Sequence, residues 1–145
     1  MPDEFLDLAI SEAASGLAEG GVPVGAVLVE DDEVIGRGHN RRVQDGDPIA
    51  HGEMDCIRSA GRRKSYAEAT LYTTLSPCMM CAGTIVQFGI RRVIVGENKT
   101  FGGNEEFLRQ HGIEVEVLND PRCKALMDEF IKSYPAIWNE DIGTE

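Results

Sequence analysis

The sequence contains no run of apolar residues that approaches the roughly 20 needed to cross a bilayer. Its first residues, Met-Pro-Asp-Glu-Phe-Leu-Asp, offer neither a positively charged leader nor a long apolar stretch. No membrane partner is expected, and the cytoplasm is the expected location. Cysteine is scarce, with only Cys56, Cys78, Cys81 and Cys123 in 145 residues, too few for a disulfide framework in a chain of this length. Basic residues are also in deficit: 14 Lys and Arg stand against 25 Asp and Glu, a net charge of -11. Such a body repels phosphate backbones, so no nucleic acid partner is expected and small neutral ligands remain open. No linker, repeat or low-complexity tract interrupts the chain, and residues 1–145 read as one domain.

What is present fits a soluble globular protein, with 42% hydrophobic and 27% charged residues. A chain of this size removes about two-thirds of its surface from water, enough for a core without covalent staples. Phe5, Leu6, Ala9, Ile10, Ala13, Ala14 and Leu17 recur at helical spacing, and Gly20 and Gly21 stop that helix. Residues 24–29 and 34–39 flank a polar turn as an antiparallel hairpin. A helix is predicted over 51–60 and a short strand over 71–74. Ser76 and Pro77 open the next helix, with Ser as N-cap and Pro at the first helical position, and Gly89 ends it. A strand at 93–95, a helix over 105–111 and a strand at 115–118 imply a parallel pair. A final long helix runs from Pro121 to about Ile131. About five strands and five helices follow, arranged as a three-layer α/β/α sandwich around a mixed five-stranded sheet.

The strongest chemical signal joins His51-Gly52-Glu53 to Pro77-Cys78-Met79-Met80-Cys81. Together these read H-x-E…P-C-x-x-C, the zinc deaminase signature, in which one His and two Cys are ligands and Glu moves protons. Cysteines three residues apart share one side of a helix, and the first turn surrounds both with unpaired N–H groups that favour thiolate. Three protein ligands leave a fourth tetrahedral position for water, which zinc can bring to a pKa of roughly 7. Positions i and i+2 of a helix do not face the same way, so His51 belongs at the helix start, where it can ligate zinc while Glu53 serves as general acid and base. A thioredoxin-like dithiol or a non-catalytic zinc module would use the Cys pair but gives Glu53 no task. Cys56 and Cys123 lack paired spacing and read as core.

Several further segments resemble the cytidine and cytosine deaminase superfamily, and within it the small fungal-type cytosine deaminases. They are Glu19-Gly-Gly-Val-Pro-Val-Gly25, Gly36-Arg-Gly-His-Asn40, Leu71-Tyr-Thr-Thr-Leu-Ser-Pro-Cys78, Val95-Gly-Glu-Asn98 and Trp138-Asn-Glu-Asp-Ile-Gly143. The resemblance runs the length of the chain. It implies one catalytic Zn2+ per chain, hydrolysis of free cytosine to uracil and ammonia, a role in pyrimidine salvage, and a homodimer. It also implies that Asn40 and the Gly52 N–H meet the pyrimidine carbonyl, and that the Ser76 carbonyl and Asp141 receive the amine. Phe101 and Trp138 would form aromatic walls, and Val24 would line the pocket. Three features depart from the family pattern: Met79 where Asp is usual, Asn139 where an aromatic is usual, and a shortened loop at 99–104. Other free bases such as guanine or isoguanine, nucleosides, and an adenosine in tRNA are the alternatives within the superfamily, the last disfavoured by the charge.

Overall fold

The computed structural model describes residues 2–144. Helix α1 (Pro2–Ala18) buries Leu6, Ala9 and Ala13, one apolar stripe at helical spacing. Strands β1 (Gly25–Glu30) and β2 (Glu33–His39) form the expected antiparallel hairpin. Asp31 and Asp32 connect them with φ of 52° and 61°, the left-handed backbone of a type I′ turn, which Asp tolerates through its short polar side chain. There follow α2 (Arg42–Asp45), α3 (Gly52–Ala60), β3 (Thr70–Thr73), α4 (Met79–Phe88) and β4 (Arg92–Val95). The chain continues through α5 (Glu105–Gln110), β5 (Glu114–Val117), α6 (Pro121–Ser133) and α7 (Pro135–Asp141).

The sheet order is β2-β1-β3-β4-β5, antiparallel around β1 and parallel from β3 to β5. This is the mixed five-stranded sheet expected from the sequence. Side chains alternate across it with period two. Val27, Val29, Tyr72 and Ile94 meet Phe5, Leu6 and Ala9 of α1. On the opposite face, Leu28, Leu71 and Val93 meet Cys56 of α3, Ile85 of α4 and Leu108 of α5. A third cluster joins Val22, Val24 and Leu75 to Met127 and Phe130 of α6 and Trp138 of α7. Leu6 and Phe130 are each 1% exposed, and truncating either to Ala costs roughly 2–5 kcal/mol through lost transfer energy and the cavity left behind. Among the described residues no helix is long and apolar enough to cross a membrane.

Two expectations are corrected. Seven helices are present among the described residues rather than five, because α2 buries no side chain and α7 buries only Trp138, so neither carries an apolar period. Ser76 does not cap α4, and Pro77 is not its first residue. Cys78 is the N-cap, its Sγ accepting from the Cys81 N–H at 3.4 Å. Ser76 is committed elsewhere: its N–H donates to the Glu97 carbonyl at 3.0 Å and its hydroxyl bonds Glu105.

Candidate active site

His51 is the N-cap of α3, in extended conformation at φ -68° and ψ 161°. That geometry frees it from helical periodicity and lets its ring face the same cavity as Glu53, two residues on. From the facing helix, Cys78 at the N-cap and Cys81 in the first turn of α4 aim their sulfurs at the ring. His51 Nδ1 lies 3.3 Å from Cys78 Sγ and 3.7 Å from Cys81 Sγ, and all three donor atoms fall within 4.8 Å of one another. Tetrahedral zinc with ordinary Zn–N and Zn–S bonds requires N···S separations of about 3.6 Å, so the set fits that ion with little adjustment. Glu53 is not a member of the cluster.

The titratable groups of the cluster act strongly on one another. Burial opposes a charge on His51, but hydrogen bonds to Asp141 and Cys78 override it and lift its pKa from 6.5 to about 10. The hydrogen bond from Cys81 outweighs burial at Cys78, and with His51 beside it the thiol falls to about 4. Cys81 moves the other way, held well above the usual thiol range by its bond to Cys78 and by burial. Burial, then the neighbouring charge of Cys78, pushes Glu53 up to about 7. Its carboxyl is 3% exposed, and the shift places it near neutrality, where a group can both take and return a proton.

Above this floor is a small cavity, with about 320 Å³ of empty space counted out to its open mouth. His51, Gly52, Glu53 and Cys78 form one side, and Val24, Asn40 and Ser76 another. Phe101, Trp138 and Asp141 close the top, where the rings of Phe101 and Trp138 meet edge-on, 6.5 Å apart at 88°. The structure thus brings together every residue singled out from the sequence, with Cys81 buried behind Cys78. Asn40 is locked in orientation: its Oδ1 accepts the Arg42 N–H at 3.0 Å and its Nδ2 donates to Asp141 Oδ2 at 2.8 Å. One N–H of that amide stays available to the cavity. Gly52 is required by close approach, since a Cβ there would stand 2.7 Å from the Val24 carbonyl oxygen.

Leu75 and Ile142 also line the cavity and escaped sequence reasoning. Both sit inside segments already singled out, so the signal was an apolar residue next to a polar one of interest. The ion pair between Asp141 and His51, at 3.2 Å, carried no sequence signal because 90 residues separate the two positions.

Residues 2–97 match the family described as the cytidine and deoxycytidylate deaminase zinc-binding region. The chain belongs to this family. A cytosine deaminase of Candida albicans is 49% identical over 141 residues, covering 95% of this chain and 94% of that protein. A tRNA-specific adenosine deaminase of Streptococcus pyogenes is 34% identical over 140 residues, 88% of each. A solved structure from studies of A-to-I editing by tRNA:A34 deaminases is 35% identical with a TM-score of 0.78, covering 86% of this chain and 99% of that one. This deaminase domain therefore has the zinc-binding character of its family, and His51, Cys78 and Cys81 are the donor set in it that fits the ion.

Proposed function

We propose that this deaminase hydrolyses a free nucleobase, cytosine in the first place, to uracil and ammonia. The observation that carries the reading is the placement of Glu53: a buried carboxyl with a pKa near 7, beside a three-donor metal cluster, under a cavity with two aromatic walls. The identity to the Candida albicans enzyme supports cytosine as the base.

His51, Cys78 and Cys81 would hold one zinc ion per chain. Zinc bound there would supply Lewis-acid activation of water, lowering its pKa to roughly 7. Glu53 accepts a proton from the attacking water and passes it to the ring nitrogen beside C4. As the water oxygen bonds to C4, its second proton passes by way of Glu53 to the exocyclic amine, the C4–N bond breaks, ammonia leaves and the C4 oxygen remains as the uracil carbonyl. Asn40 offers its remaining N–H, and Gly52 its backbone N–H, to the pyrimidine carbonyl oxygen. The Ser76 carbonyl and Asp141 accept from the exocyclic amine, since a carboxylate with two partners still has lone pairs to offer. Phe101 and Trp138 pack on the flat ring, and Val24 lines its edge. Met79 is 54% exposed and does not line the cavity, so its departure from the family pattern lies away from the base; 5-substituted cytosines are further candidate substrates.

The net charge of -11 disfavours tRNA as the substrate, since its phosphates would meet a surface of their own sign. The protein is further read as one catalytic domain acting in pyrimidine salvage in the cytoplasm, where its four free cysteines stay reduced. It is also read as a homodimer, as the resemblance to the small cytosine deaminases implies. Sizing under native conditions checks the dimer. Ammonia release from a panel of free bases and nucleosides checks the substrate: cytosine turns over faster than guanine, isoguanine or cytidine. Turnover of cytidine without cytosine overturns the assignment, and disulfide reduction by a zinc-free protein overturns the reaction class.

A further inference from the structure

Glu97, just past the end of β4, is 1% exposed and belongs to none of the groups that contact the metal cluster or line the cavity. A carboxylate this deep is tolerated only when it is hydrogen-bonded. Its Oε1 accepts the backbone N–H groups of Lys99 at 2.8 Å and Thr100 at 2.9 Å, and its Oε2 accepts the Thr100 hydroxyl at 2.6 Å. All three donors belong to the turn that follows it directly. If that turn swung away, the carboxylate would be left buried without partners, so the two are held together.

The same stretch is tied to the opposite wall of the cavity. The Glu97 carbonyl accepts the Ser76 N–H at 3.0 Å, and beyond the turn Asn104 Nδ2 donates to the Pro77 carbonyl at 3.0 Å. Gly96, just after β4, allows a close approach: a Cβ there would stand 2.5 Å from Cys123 Sγ and 2.6 Å from the Thr74 carbonyl oxygen, so this stretch packs directly on α6 and on the segment after β3. Phe101 follows the pinned turn immediately and meets Trp138 edge-on.

We propose that Glu97 is a positioning residue for the aromatic wall: its buried carboxylate fixes the turn of Lys99 and Thr100, holds Phe101 against Trp138, and so sets the affinity of the cavity for a flat base. The kinetic part of this inference rests on the deaminase reading; the placement of Phe101 does not.

The test compares Glu97→Ala, Glu97→Gln and Thr100→Val in the zinc-loaded, full-length protein. Trp138 is the only tryptophan, so its emission reports the wall without reference to activity. Glu97→Ala raises KM for cytosine about tenfold and changes kcat less than about threefold. Its Trp138 emission shifts to the red and becomes more accessible to acrylamide. Gln keeps an oxygen for both backbone donors and an N–H for the Thr100 hydroxyl, so Glu97→Gln returns KM to within about threefold of the parent. Thr100→Val, which loses one of three contacts, falls between. Wild-type KM and emission in Glu97→Ala overturn the proposal, as does a Glu97→Gln protein as impaired as Glu97→Ala, which would mean that charge rather than geometry matters. Should Glu97→Ala fail to fold, Thr100→Val with parental KM and emission overturns it. If the parent does not turn over cytosine, the emission and quenching measurements still decide the placement of Phe101.

Discussion

Asp141 Oδ1 stands 3.2 Å from Nε2 of His51, while Oδ2 of the same carboxylate accepts the Asn40 amide at 2.8 Å. One side chain from α7 therefore orients both the imidazole of the metal cluster and the amide that faces the substrate. Outer partners of this kind fix the tautomer and ring orientation of a metal-binding histidine. With Nε2 held by the carboxylate, Nδ1 is the nitrogen presented to the cysteines and to an ion. Docking of α7 and the order of the metal site are thus linked.

Asp141→Asn removes the charge while keeping the shape. Zinc affinity falls about 10–100-fold, the usual cost of losing an outer-shell carboxylate, and cytosine turnover falls with it even at saturating zinc, because Asn40 loses its charged partner as well. Competition with a chelator of known affinity measures the first effect. Unchanged zinc affinity would show that the carboxylate serves the substrate alone.

Metal binding is coupled to protons. Without metal, His51 (pKa about 10) is protonated at neutral pH, Cys81 (raised well above the usual thiol value) is a thiol, and Cys78 (about 4) is already a thiolate. Ligation needs neutral imidazole and two thiolates, so uptake of zinc at pH 7 releases about two protons, one from His51 and one from Cys81. Because protons compete with the ion, affinity rises with pH across the neutral range. Calorimetry in buffers of different ionisation enthalpy counts the protons directly. Release of none would mean that the cluster is not the binding site.

Gly52→Ala places a methyl group 2.7 Å from the Val24 carbonyl oxygen and 3.2 Å from its carbon. The two nearest atoms are backbone and cannot give way, so α3 must shift from Val24, the residue before β1. The expected cost is about 1–3 kcal/mol of stability, read from the denaturant midpoint, together with a raised KM for the base because the Gly52 N–H moves with the helix. A variant with the parent's stability and KM would show that the approach of α3 to Val24 is looser than the structure describes.

How much of this was legible beforehand depends on how local each feature is. The paired strands and the three-layer arrangement follow from the apolar run at 24–29 with the polar turn after it and from the helical stripe Leu6, Ala9 and Ala13, all patterns within a few residues. His51, Glu53, Cys78 and Cys81 were legible because metal chemistry constrains residue type and spacing together. Ser76 was misread as a helix cap because its bonds go to Glu97 and Glu105, partners 21 and 29 positions away. A local rule sees only the Ser-Pro pair. α7 escaped for a related reason: it is held by Trp138 against residues of α6 and by Asp141 against His51 and Asn40, contacts that leave no periodicity in the tail itself. Glu97 stood in the sequence only as part of the Val95-Gly-Glu-Asn98 segment, and it is its burial that reveals the turn it holds.

The most direct measurement pairs zinc content with cytosine turnover in the parent protein and in Glu53→Ala. Positioned proton transfer contributes about 10²–10⁴-fold to a rate. The expected result is one zinc per chain in both proteins, with uracil and ammonia formed by the parent and turnover reduced by at least about 100-fold in the variant. Wild-type turnover by Glu53→Ala, or turnover by a parent that holds no zinc, would contradict the account.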